Sequence, residues 1–585
     1  MPTDQGGIEK TNTCGKPEWR SSLGWLGLLL LSCILLGGYC CDLNRQLYQH
    51  QNPFYDSASY YTQLFKVMTL TRTEGLFAGL EQGCFYGTLC LPFIIAAVLG
   101  EWVEPSRLVG VWIQVGYLFV FEASLFYYLT RIQQLKNSTA VLGCFAFLTA
   151  SCLFYDNGGL SDFRMDLGLC LAFGITVIWY LAAMARPAWW RFGLLGLAAG
   201  ACCLARATAP IYLAASLLPL VMVDIILLER RTKKVLGLLG AGLTASVIAG
   251  WFYIVNFDYL YYYYVVWNTD ANAKIPWSEA FVHIKMARRC IGEPLMILIV
   301  CWTIGIWLTA KSQGKLFSLA RTAWLKGDIN WRIAWIGLCP IALMIARRAG
   351  LNPFVCMPAV IGLVLVFLVP LLRTSDRIND KKLTTYTWIC LCVCLILASL
   401  KGWDWHREKS FNTMASQQKV IDEIVADSAQ YPETRIRFDV IQITELFTDS
   451  LYSILVFDRK DTQPQLGYVQ IGQKQFQSAN VFSHAAAADW AAIKGHTDQQ
   501  KLDHLMDIAN TSLSYVVIPD QTSAKEIKSR VPQNYINRHL EVLRSRVVQG
   551  NWTKISGPIQ TGENEFVEIY RRLDDRVAGQ SGLDR

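Results

Sequence analysis

The chain has 585 residues, 53% of them hydrophobic and 17% charged, with a mean hydropathy of +0.27. Soluble domains carry about 25% charged residues, so the composition excludes an ordinary water-soluble globule and points to lipid as the main solvent. The net charge of +8 is modest for this length and in a membrane protein is better explained by cytoplasmic loops; with no RNA- or DNA-binding motif, the expected partners include membrane lipids and no nucleic acid.

The N-terminal stretch MPTDQGGIEKTNTCGKPEWR is too long and too polar for the n-region of a signal peptide. It precedes an uninterrupted apolar run, SLGWLGLLLLSCILLGGYCC (22–41), that has no cleavage site. Residues 1–21 therefore read as a cytoplasmic tail. Apolar segments of spanning or nearly spanning length follow at 85–102, 109–130, 139–155, 167–185, 192–208, 210–228, 235–255, 295–310, 333–346, 353–372 and 385–400. The expected fold is a polytopic α-helical membrane protein with about 11–13 transmembrane helices, the module occupying 22–400. After Leu400 the sequence turns charged and water-soluble. LSYVVIPD (513–520) reads as a buried strand, EIKSRVPQNYINRHLEVLRSR as helix, and NWTKISGPIQTGENEFVEIYRR as a hairpin turning at TGEN. Residues 401–585 are expected to form an external α/β domain.

Seventeen of the eighteen cysteines lie between Cys33 and Cys394, in or beside apolar segments. There they act as small hydrophobes, and neither a disulfide framework nor a metal site is expected of them.

Basic residues in short loops set orientation. The loop 311–332 has five basic residues and one acid, 230–234 has four basics, and 373–382 has four. With these cytoplasmic, the segments 42–84, 156–166 and 256–294 and the C-terminal domain all lie outside. A forward count from the N-terminus disagrees by one crossing. One segment before residue 156 therefore does not span, and 139–155 is the weakest candidate.

Chemistry-bearing residues gather in those outer segments. Asp56, in NPFYDSASYYTQLFK, stands among aromatics at the water–lipid boundary, where partial desolvation suits a base; DSAS is equally a helix N-cap sequence. DNGGLSDFRMD supplies Asp162, Arg164 and Asp166 just before a helix, to pair, bind a metal, orient a hydroxyl or cap that helix. Arg206 ends an apolar helix, where a fixed charge must snorkel or meet an anion. The Tyr-rich segment 256–294 offers Tyr263 and Trp267 as sugar-stacking faces and His283, Lys285 and Arg288 as positive charge for a phosphate. Glu122 and Asp224 are embedded in apolar segments and qualify as functional residues by position.

Three of these stretches carry a resemblance. PFYDSASYY after the first helix, GGLSDFRMDLGLCLAFG, and GLAAGACCLARATAPIYLA ending at an arginine resemble the GT-C superfamily of membrane glycosyltransferases. The nearest branch is that of protein O-mannosyltransferases and lipid A aminoarabinose transferases. The motif order covers about residues 20–260. One departure is plain: the mannosyltransferases commonly carry an acidic pair where this chain has Asp56 and Ser57. The resemblance implies an inverting transferase moving a sugar from a polyprenyl-phosphate donor to a lipid, glycan or protein acceptor at the external membrane face. The style of the sequence as a whole, not a motif, suggests a bacterial inner membrane, in which the outer C-terminal domain is periplasmic. Asp56 then matches the catalytic carboxylate, and Arg206 with Lys285 or Arg288 the phosphate site. No cofactor is required, although Asp162 and Asp166 leave a divalent metal possible. A ligase for a whole lipid-linked glycan, a lipid-linked solute transporter and a sensory membrane protein are the alternatives.

Overall fold

A computed structural model describes residues 18–50, 56–85, 89–227, 231–261, 277–313, 330–347, 357–406, 413–429, 436–440, 452, 455–456, 466–468, 500, 503, 513–530, 535–562 and 565–573. The helices are α1 (Glu18–His50), α2 (Asp56–Glu74), α3 (Leu76–Cys84), α4 (Leu91–Gly100), α5 (Arg107–Tyr127), α6 (Asn137–Phe147), α7 (Met165–Ala185), α8 (Trp189–Ala205), α9 (Ala209–Leu227) and α10 (Arg231–Val255). They continue with α11 (Val282–Ile291), α12 (Glu293–Ser312), α13 (Asn330–Arg347), α14 (Met357–Ile378), α15 (Lys381–Trp405) and α16 (Thr413–Ser428). Each of the twelve apolar segments seen in the sequence falls on a helix.

Among the described residues eight helices are long and apolar enough to cross a bilayer, and α4, α6 and α8 are shorter apolar helices. The protein is a polytopic helical membrane protein. Burial separates inner from outer helices. In α7 every residue from Met165 to Ile178 is buried, as expected of a helix apolar on all sides. On α10, Leu236, Leu239, Leu243, Val247 and Ile254 recur at helical spacing and are all exposed, a stripe whose solvent is lipid.

Hydrogen bonds between helix ends fix the threading. At one end Asn44 of α1 donates to the Ser161 carbonyl at 2.7 Å, Ser57 of α2 to Asp162 at 2.7 Å, and Gln114 of α5 to the Arg164 carbonyl at 2.9 Å. At the other end Lys136 donates to Asn379 at 2.6 Å and Thr139 to Asp376 at 3.0 Å. The end of α1 and the start of α5 thus share one end, so α2, α3 and α4 leave and rejoin it. Ten-residue α4 is about 15 Å long against a hydrocarbon core of about 30 Å. The segment that stays on one side is therefore 85–102, not 139–155. The chain from α6 through a 3₁₀ turn (Ser151–Leu153) runs from the Asp376 end to the Asn44 end, and burial inside the bundle relieves α6 of the need for spanning length.

Past α15 the chain forms a five-stranded mixed sheet in the order β2-β1-β3-β5-β4. Its strands are β1 (Ile436–Val440), β2 (Leu466–Tyr468), β3 (Tyr515–Pro519), β4 (Trp552–Gly562) and β5 (Glu565–Arg572). β1 pairs in parallel with β2 and β3, and β5 runs antiparallel to β3 and β4. Phe438, Val440, Tyr515, Val517, Val567 and Ile569 pack with Val420, Ile421 and Ile424 of α16. Asp427 anchors that helix, accepting from Arg571 at 3.0 Å and from the Tyr515 hydroxyl at 2.9 Å.

Candidate active site

The site grows from the last turns of α1. Asn44 and Tyr48, four residues apart, share a helix face and are both buried. On α2 the equivalent spacing buries Ser57, Tyr61, Leu64 and Phe65, so this face of the helix is turned to protein. Asn44 Nδ2 donates to the Tyr61 hydroxyl at 3.1 Å, which also accepts from the Phe163 N–H at 3.0 Å. Two helices and the 156–164 loop are joined through one amide and one phenol.

Asp162 is buried at the centre of that junction. Its Oδ2 accepts from Ser57 Oγ at 2.7 Å and from the Gly158 N–H at 2.8 Å, and its Oδ1 from the Tyr48 hydroxyl at 3.2 Å. Gly158 sits at φ 86°, a left-handed conformation that glycine adopts freely. Burial raises the Asp162 pKa to about 6, against the pull of its hydrogen-bond donors and of the nearby Arg164.

Asp166, in the first turn of α7, has the opposite surroundings. Arg164, the N-cap residue, donates to its Oδ2 at 2.7 Å, and Arg206, the residue capping the C-terminus of α8, donates to its Oδ1. The side chains of Arg164 and Asp166 are about as buried as each other, at 5% and 4% exposed, whereas Arg206 keeps 15%. Arg206 is the most exposed charge of the cluster.

The last bundle helix closes the site. His406, which caps α15, places Nδ1 2.6 Å from the Gly402 carbonyl and Nε2 2.7 Å from Ser161 Oγ. A carbonyl only accepts, so Nδ1 carries the proton and in the neutral ring Nε2 accepts from the serine.

Of the residues singled out in the sequence, Asp162, Asp166 and Arg206 come together here. Asp56 is the first residue of α2, so its backbone adjoins Ser57, the partner of Asp162. His283 is buried on α11, whereas Lys285 and Arg288 on that helix are exposed. A neighbour of theirs, Arg289, lies over the Tyr155 ring at 5.9 Å. Tyr263 and Trp267 lie outside the described residues. Asp224 belongs to the opposite end, where it accepts from Tyr180 at 2.6 Å and from Arg332; Glu122 is buried within α5. Asn44, Tyr48, Ser57, Tyr61 and His406 were not singled out in the sequence. The i, i+4 spacing of Asn44 and Tyr48 in an apolar helix was the signal available for two of them. Arg107, whose guanidinium lies 4.8 Å above the Tyr48 ring, was also missed.

Asp162 and Asp166 do not fit as a metal-ligand pair, because hydroxyl, amide or guanidinium donors occupy their oxygens. No three His, Cys, Asp or Glu groups among the described residues converge to hold a metal ion.

By sequence, no family model and no curated protein matches the chain. By structure, it is similar to ArnT from Cupriavidus metallidurans, crystallised with undecaprenyl phosphate, with a TM-score of 0.55 over 93% of this chain and 98% of that one. The chain has the GT-C fold. At 10% identity the shared feature is this architecture, not the side chains. On the GT-C frame the α2 start, the 156–166 loop and Arg206 occupy one end of the bundle, which is also the end where α15 leads on toward α16 and the sheet.

Proposed function

We propose that the protein is a glycosyltransferase that moves a sugar from a polyprenyl-phosphate donor to an acceptor hydroxyl or amine at the outer face of a bacterial inner membrane. One observation carries the reading. In a chain folded like a protein that binds undecaprenyl phosphate, a carboxylate-bearing helix start, a buried acid loop and an accessible arginine converge at one end of the bundle. The described basic residues of the stretches 230–234, 311–332 and 373–382, among them Lys233, Lys311, Arg332, Arg373 and Arg377, belong to the opposite end, which supports a periplasmic placement of the site and of the sheet domain. A transport path finds less support: Asp224 and Arg206 are each tied to a partner at opposite ends.

In this mechanism Asp56 takes the proton of the acceptor O–H or N–H. The acceptor atom bonds to the anomeric carbon with inversion as the bond from that carbon to the phosphate oxygen breaks. The electron pair leaves on the polyprenyl phosphate, whose growing charge Arg206 stabilises, with Lys285 and Arg288 as further cations and His283 behind them on α11. Tyr263 and Trp267 provide stacking faces for the sugar, and Asp162 and Asp166 hold the loop that receives the acceptor. No step needs a metal.

The test is transfer from a radiolabelled polyprenyl-phosphate sugar to candidate acceptors by purified wild type and Asp56→Asn. Expected is loss of transfer with donor binding retained. Unchanged turnover removes Asp56 from the mechanism, and a strict requirement for a diphosphate-linked oligosaccharide selects a glycan ligase instead.

A further inference from the structure

The facing ends of α3 and α4 carry chemistry that the transfer reaction does not use. Cys84 ends α3 and Cys90 caps the start of α4, and their sulfurs lie 3.4 Å apart. What brings them together is Gly83: a Cβ there would stand 2.8 Å from the Phe93 Cβ, so only glycine lets α3 press this closely onto α4. The pair is held from both sides. Asn256 Nδ2 donates to the Cys84 carbonyl at 3.0 Å, and the Cys90 N–H donates to the carbonyl of Leu204 at 3.0 Å. Leu204 lies two residues before Arg206. Both sulfurs belong to a small apolar cluster with Phe252, Tyr259 and Leu260, where the Tyr-rich segment begins.

We propose that Cys84 and Cys90 form a reversible intramolecular disulfide that clasps the end of α3 to the start of α4 beside the site. The inference rests on the outward placement proposed above, because a dithiol at that face meets an oxidising compartment. The Cys90 thiol donates to the Cys84 sulfur, which lowers the Cys84 pKa against the effect of burial. Cys84 also keeps a sliver of exposure and Cys90 none. Cys84 is therefore the attacking thiolate. It attacks one sulfur of a disulfide-bearing oxidant, either a thiol oxidoreductase or oxidised glutathione, and a mixed disulfide forms. Cys90 then gives up its proton and displaces the oxidant's sulfur. The Cys84–Cys90 bond forms, and two protons and two electrons end on the oxidant as two thiols. The bond fixes the start of α4, whose Cys90 N–H supports Leu204, and through it the backbone leading to Arg206.

Trypsin isolates the pair, since the peptide 73–107 holds Cys84 and Cys90, no other cysteine, and no internal lysine or arginine. Cells expressing the full chain are quenched in acid, alkylated in denaturant and digested with or without prior reduction. The expected result is a peptide two hydrogen atoms lighter than the dithiol, carrying no alkyl group before reduction and two after. Equilibration of the purified protein with oxidised glutathione is expected to give the same species. Two alkyl groups in both experiments overturn the clasp. If the thiols are free in cells but close with glutathione, the clasp geometry is upheld and the outward placement of this end falls instead.

Discussion

Both ends of the bundle bury a carboxylate against a guanidinium, and they build different things from it. At the Asp224 end one acid meets one base: Tyr180 of α7 and Arg332 of α13 converge on Asp224 of α9, and the Arg332 guanidinium lies 5.4 Å from the Trp331 ring. Three helices are pinned and the charges cancel locally. At the Asp166 end one acid meets two guanidiniums, and a second acid four residues earlier is held by neutral donors alone among its hydrogen bonds. Asp166 carries one charge against two guanidiniums, and the Arg206 side chain stays 15% exposed, while Asp162 ties the loop to the α2 start. The first arrangement is a closed structural pin; the second is a pin of two guanidiniums on one acid, one of them partly exposed.

The sharpest way to break the contrast is to neutralise each acid in turn. Removing one partner of a buried ion pair costs about 3–5 kcal/mol because the other charge is stranded. Asp166→Asn and Asp224→Asn are both expected to lower the unfolding temperature in detergent markedly, Asp166→Asn more, since it strands two guanidiniums. Transfer per folded molecule is expected to vanish only in Asp166→Asn. If folded Asp224→Asn also loses turnover, the opposite end is part of the machinery and the contrast fails.

Asp162 offers a second test through pH. Its native pKa of about 6 stands above the ordinary 3.8. Between those values the native state holds a proton that the unfolded chain has released, so stability from this group is present at low pH and lost as pH rises through about 6. The full difference is worth about 3 kcal/mol. Wild type is therefore expected to gain stability relative to Asp162→Asn as pH falls from 7 to 4.5. A gap that is flat over that range would place Asp162 in a solvated setting.

The sequence showed much of the fold and part of the site, for definable reasons. Helix positions follow from apolar length, and a described helix lies within every expected segment. The non-crossing segment was misassigned because length and hydropathy say nothing about whether a helix is shielded by protein; α6 is short yet runs through the bundle, whereas 85–102 looks long enough and returns to its own end. Asp162, Asp166 and Arg206 stood out as charges beside apolar runs. Ser57, Tyr61 and His406 did not, because a serine, a tyrosine or a histidine at a helix end has many ordinary uses, and only tertiary contact separates them. The partner of Asp224 lay beyond reach of any local pattern, more than one hundred residues away at Arg332.

A smaller effect is expected from Ser57→Ala. Asp162 Oδ2 keeps the Gly158 N–H, so the loss is that of one hydroxyl donor to a buried acid, about 1–2 kcal/mol. The same change is expected to raise the Asp162 pKa further, moving the pH transition upward, and Ser57→Thr to restore both. No shift in the transition would mean that Ser57 does not stabilise the carboxylate form.

The smallest effect completes the scale. Lys401 and Glu293 form an ion pair at 2.7 Å at the same end as Asp166, but the Glu293 side chain is 73% exposed. Lys401 also lies 5.3 Å from the Trp405 ring, so its position does not depend on the glutamate. Water and salt screen such a pair, and the side chains lose freedom in forming it. Glu293→Gln is expected to leave the melting temperature unchanged at both low and high salt. The distance is the same as that from Arg164 to Asp166, so a loss approaching that of Asp166→Asn would mean that pairing itself, whatever the burial, holds this end together. The ranking of these variants would then have to be redrawn.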